Sequence, residues 1–142
     1  TRESEWELIK HEYQPFLTSN INIIHKKGEE LRPYFAKADI LMLFVQPQEY
    51  REFAAPVKLF EYVGETKLIL ASKGTLSGRF VEDNNLGWAI DYDVDAIQKF
   101  LSDLPKSIDE LNEKKAGLGL VALEHTWLKR AEKVAKDLKG HL

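Results

Sequence analysis

The chain contains no cysteine. Disulfides, thiolate nucleophiles and zinc sites built on sulfur are therefore excluded, and a reducing cytoplasm is the expected compartment. Long apolar runs are also missing. The longest, residues 40–45, has six residues, against the roughly 20 needed to span a bilayer. The charged first ten residues have none of the apolar character of a signal peptide. An excess of one charge is absent too: 20 Lys and Arg face 23 Asp and Glu, a net charge of -3. That balance removes the general electrostatic argument for a nucleic-acid or anionic-lipid partner, so any anion must be caught locally. No Gly-x-Ser-x-Gly elbow or Walker loop occurs, which argues against an α/β-hydrolase or a P-loop NTPase. The four histidines, His11, His25, His125 and His141, are scattered with no second ligand at helical spacing. Metal catalysis has little support from them, and they read as surface groups.

What is present is an ordinary composition. The 142 residues are 44% hydrophobic and 30% charged, which suits one domain with one core and excludes disordered and fibrous classes. No internal repeat, low-complexity tract or linker-like stretch occurs. The useful signal is the switching of the hydrophobic period between 2 and 3.6.

A helix is expected over 6–17, stopped near Pro15, then a short β-branched strand over 21–25. Another helix follows over 29–38, with Leu31, Tyr34, Phe35 and Ala38 on one face. The continuously apolar run 40–45 predicts a strand covered on both faces, as in a parallel sheet, and it leads into a polar loop over 46–55. A short helix over 56–63 has Pro56 at its first position and Gly64 just past its end, the usual asymmetry of helix termini. A strand over 67–72 comes next. Gly74 and Thr75 open a helix ending near Asp83, residues 84–87 turn the chain, and 88–91 form a fourth strand. An amphipathic helix over 94–104 is closed by Pro105. Ser107 starts another, with Glu110 at capping-box spacing, and Thr126 caps a last helix to about residue 139. Strands alternating with helices at these spacings predict βαβ crossovers and a parallel sheet with helices on both faces. The chain starts on a helix with no strand before it, so the expectation is an α/β domain truncated at its amino terminus.

Three short patterns carry bland readings. Gly117, Gly119 and Ala122 spell a dinucleotide-like motif, but the residues before them, 109–115, are helical and charged instead of a buried strand. Asp91, Asp93 and Asp95 imitate a calcium loop without its glycine or its last glutamate; Asp93 reads as a helix cap with Asp95 in the first turn. The last helix gathers Trp127, Ala131, Val134, Ala135 and Leu138 on one face, and its basic side reads as solvated.

In open parallel sheets ligands bind beyond the carboxyl ends of the strands, and the longest loop at such an end is 46–55. Lys58 follows in the first turn of a helix, where the macrodipole disfavours a cation by about 0.3–1 kcal/mol. Local stability did not choose it. An anion at that helix start would reverse the sign, because free backbone N–H groups within residues 55–58, the dipole and the Lys58 ammonium would converge on a phosphate. Glu61, one turn on, shares the Lys58 face and suits a ribose diol, while Val57, Phe60 and Val63 can pack inward. On spacing alone, an exposed Lys58–Glu61 ion pair accounts for both residues as well.

The wording of the sequence bears on that choice. Ala38-Asp39-Ile40, then Pro56-Val57-Lys58-Leu59-Phe60-Glu61-Tyr62, then Lys67-Leu68-Ile69-Leu70-Ala71-Ser72, then Phe80-Val81-Glu82-Asp83 before Leu86-Gly87-Trp88 resembles the donor-binding, carboxyl-terminal half of GT-B glycosyltransferases. The likeness is greatest to the large retaining family of bacterial glycosyl transferases, group 1, and Thr126-Trp127 resembles the start of its final helix. The resemblance implies a Rossmann-like three-layer α/β/α domain that binds a nucleotide-diphosphate sugar without metal or other cofactor. Glu61 would hold the ribose, and Ala55, Pro56 and Val57 would face the pyrophosphate, assisted by Lys58 and more weakly by Arg51. The base would lie near residues 25–28. A missing amino-terminal domain would bind the acceptor, and family habit implies polysaccharide or glycolipid assembly, with peripheral association at the inner face of the membrane. Phe53 stands where many members carry a second glutamate, and the family's Arg and Lys phosphate clamp has no counterpart here. The alternative is a Rossmann-like regulatory or scaffolding module without catalysis.

Overall fold

The computed structural model describes residues 2–139; His141 lies outside them. The chain divides into an amino-terminal unit ending at Lys37 and a unit beginning at Ala38.

The amino-terminal unit holds helix α1 (Glu3–Tyr13), a 3-10 turn (Gln14–Phe16), a second 3-10 turn (Gly28–Leu31) and helix α2 (Arg32–Lys37). Glu3 and Glu5 in the first turn of α1 and Lys10 and His11 in its last suit the helix dipole, and Pro15 enforces the change to the tighter turn. Residues 21–25 form no strand, contrary to expectation. Ile21 and Ile23 are exposed, and β-branched side chains make a strand only where a neighbouring strand takes up the backbone groups. None of the described residues before Ala38 is buried.

The second unit is an α/β structure around a parallel sheet of three strands, one fewer than expected. Strands β1 (Ile40–Leu43), β2 (Leu68–Ser72) and β3 (Gly87–Ile90) lie in that order. Met42 pairs with Leu70 and Leu70 with Trp88. Helices α3 (Val57–Gly64) and α4 (Leu76–Asp83) form the two crossovers, and α5 (Val94–Asp103), α6 (Ile108–Glu124) and α7 (Trp127–Lys139) follow. Leu59, Leu68, Ile69, Ala71, Val81 and Leu86 are essentially sealed from water and pack into one core with Val63 and Leu118. β2 is buried at every position. β1 is not, because Leu41 and Leu43 point inward while Met42 is 50% exposed, so its continuous apolar run does not mean cover on both faces.

Several ends differ from the expected ones. Gly64 is the last residue of α3 instead of its cap, and Thr66 takes the left-handed conformation with φ 51°. Val57 is exposed and Leu59 fills the core instead. Ser107 starts α6 without capping it; its hydroxyl donates to the Asp103 carbonyl at 3.4 Å, and the Glu110 carboxylate, the other half of the expected box, is engaged by the Trp88 indole N–H at 2.8 Å. Asp93 caps α5 through the Ala96 N–H at 2.8 Å, and Thr126 accepts from the Lys129 N–H at 3.2 Å. Glycine is required at position 87, where φ is 150° and a Cβ would fall 2.0 Å from the Ile69 carbonyl oxygen. Gly117 and Gly119 lie within α6, away from any strand-to-helix turn.

Candidate functional site

The loop after β1 is braced before it reaches α3. The Val45 N–H donates to Ser72 Oγ at 2.8 Å, tying the exit of β1 to the end of β2. Arg51 donates to the Gln46 carbonyl at 2.5 Å and, through Nε, to the Tyr50 hydroxyl at 3.0 Å. Arg79 of α4 donates to the Glu52 carbonyl. These bonds connect the loop to itself and to α4, so its backbone is preorganised.

Beneath it lies a cavity of about 330 Å³ at the carboxyl ends of β1 and β2. Leu43 lines it from β1, Val45, Tyr50 and Arg51 from the segment after that strand, Ala55, Pro56 and Lys58 from the start of α3, and Thr75 and Ser77 from the start of α4. Two cations and no carboxylate line it. Pro56, the N-cap of α3, has no side-chain capping bond, and the Leu59 N–H already donates to the Pro56 carbonyl at 3.0 Å. The Val57 and Lys58 N–H groups are thus left without helical partners. Among the described residues the Lys58 and Glu61 side chains have no ion pair or hydrogen bond, with each other or with a third group. The surface ion pair allowed by their spacing does not form.

Arg51, Ala55, Pro56 and Lys58 are therefore gathered at one cavity, as the sequence reading grouped them. Val57 and Glu61 do not line it; both are exposed on α3. Phe53 is 71% exposed at the end of the 3-10 turn Glu49–Glu52. Residues 25–28 belong to the amino-terminal unit, where Lys26 pairs with Glu30 at 3.2 Å.

A second cavity, of about 340 Å³, lies between Trp88 and α5. Some of its charged lining is engaged, Asp103 holding Lys99 at 2.9 Å and Glu110 the Trp88 indole N–H at 2.8 Å, while Lys73 and Asp91 also line it.

No family model, curated protein or solved structure matches this chain.

Ser77 and Thr75 are the lining residues that sequence reasoning missed. Thr75 was legible as a helix opener, and its hydroxyl does accept from the Gly78 N–H at 3.0 Å while donating to the Ser72 carbonyl at 2.7 Å. A serine in the first turn of a helix is too common to signal anything. Only the approach of α4 to α3 around the loop 46–55 makes Ser77 part of the site. Gly78 lets α4 pack closely on the end of β2, since a Cβ there would meet the Ser72 carbonyl oxygen at 2.3 Å. No group of three or more His, Asp or Glu side chains able to hold a metal occurs among the described residues, and no helix among them is long and apolar enough to cross a membrane.

Proposed function

We propose that this chain binds the diphosphate of a nucleotide-diphosphate sugar, as the donor-binding half of a GT-B glycosyltransferase. The observation that carries the reading is Lys58, which lines a cavity without carboxylates from the first turn of α3 and whose ammonium has no partner among the described residues. Arg51 adds a second cation from the loop. Glu61 stands one turn further along α3, exposed and unpaired, where a ribose reaching out of the cavity would meet it.

Glycosyl transfer is a reaction that this charge pattern suits. As the bond between the sugar C1 and the diphosphate oxygen breaks, its electron pair leaves with the diphosphate and C1 becomes oxocarbenium-like. Fixed donors and cations stabilise the growing negative charge without reorganising. An acceptor hydroxyl then forms the new bond to C1 and gives up its proton. The acceptor site and any base belong to a second domain, so the chain alone is expected to bind donor nucleotide without turnover.

Calorimetric titration with UDP, GDP and ADP tests the reading. One of them should bind, and Lys58→Ala should weaken it about tenfold, the usual scale of one charge-assisted hydrogen bond. Glu61→Ala should weaken the nucleoside diphosphate but not inorganic pyrophosphate. No heat with any of the three nucleotides would overturn the proposal. Exposed Phe53, in the place where the resembling family carries glutamate, favours a second reading in which the nucleotide is bound but no sugar is transferred. Equal affinity for a nucleoside diphosphate and its sugar conjugates would select it.

A further inference from the structure

We infer that Ser77 is a ligand-contacting residue and that α4 forms the opposite jaw of a clamp that takes a diphosphate, one phosphoryl group at each helix start. This rests on the proposed donor site and names how that site selects its ligand. Ser77 is 4% exposed and lines the cavity, yet its hydroxyl has no hydrogen-bond partner among the described residues. The hydroxyl oxygen is not sealed off, since Arg130 Nη1 is the buried side-chain atom left without a partner among the described residues, so Ser77 reaches solvent at the cavity, where a guest oxygen can take the place of water.

The backbone around it points the same way. The Thr75 hydroxyl is used on the Gly78 N–H, so the Leu76 and Ser77 N–H groups at the start of α4 have no helical or capping acceptor. Ser77 and Lys58, each in the first turn of its helix, line the same cavity. Thr75 is fixed to the end of β2 by its bond to the Ser72 carbonyl, so the second jaw is as rigid as the first. The volume of about 330 Å³ is several times that of one phosphate group. A diphosphate places a charge at each helix start, where N–H donors and dipole favour it.

The test uses the whole chain titrated with orthophosphate, pyrophosphate and UDP, followed by calorimetry and by the amide resonances of Val57, Lys58, Leu76 and Ser77. Pyrophosphate is expected to bind at least tenfold more tightly than orthophosphate and to move resonances of both helices. Ser77→Ala should weaken pyrophosphate and UDP by the same three- to tenfold with an unchanged melting temperature, and Ser77→Asp should abolish both. Wild-type affinity in Ser77→Ala would overturn the contact while leaving the Lys58 site standing. Shifts confined to α3 would overturn the clamp. Pyrophosphate binding that depends on Ser77, with UDP no tighter, would support the clamp and overturn the nucleotide reading instead.

Discussion

At the scale of single residues, the informative positions are those whose chemistry conflicts with their local setting. Lys58 is legible in the sequence because a cation in a first helical turn opposes the dipole. Ser77 is not, because what marks it is its place in the wall of a cavity without a protein partner, and that is a tertiary property. His125 is a third case. Its ring lies 4.8 Å from Phe80, and burial first, then the Arg130 guanidinium, push its pKa below the ordinary 6.5. Arg130 itself lies 3.7 Å over the Phe60 ring. The unfolded chain therefore takes up this proton before the folded one does. Above 6.5 the imidazole is neutral in both states and contributes no pH dependence. As the pH falls through 6.5 stability is lost, and the loss levels off below the folded pKa. Asp39, held below the usual range by its hydrogen bond to Lys115, acts only at more acid pH. Melting curves from about pH 8 to about pH 5 should show a decline in the wild-type chain that is smaller in His125→Phe.

At the scale of elements, caps and breakers were readable where the partner is a near neighbour. Asp93, Thr126 and Pro15 act as their spacing indicates. Asp93→Ala should cost about 1 kcal/mol, and Asp93→Asn much less, because the amide oxygen can still accept from the Ala96 N–H; chemical denaturation of the two variants measures the difference. Reading failed where a distant group competed. The Trp88 indole takes the Glu110 carboxylate from the capping box, and the apolar segment 21–25 has strand composition but no ladder. The left-handed turn after α3 passed from Gly64 to Thr66, which composition does not reveal, since glycine is preferred but not obligatory there.

At the scale of the whole molecule, burial is concentrated in the unit from Ala38 onward, at β2 between its two neighbours. Amide hydrogen exchange should accordingly be slowest at Ile69, Leu70 and Ala71, and faster by orders of magnitude in α1 and α2, whose unit has no buried side chain among the described residues. Uniform protection along the chain would contradict that distribution. α7 keeps its hydrophobic face in water, with Trp127 70%, Val134 58% and Leu138 64% exposed. Its periodicity gave the helix and its apolar stripe correctly but could not say whether anything covers it.

By itself, the sequence determined the alternation of helix and strand, the parallel sense implied by crossovers of that length, and the unusual start of α3 with Pro56 and Lys58. These follow from period, punctuation and spacing, which act over a few residues. Tertiary structure alone decided that the sheet has three strands, that Glu61 stands outside the cavity, and that Ser77 faces Lys58 across it. Each of those depends on which surfaces meet, and that is settled by packing between segments far apart in the chain.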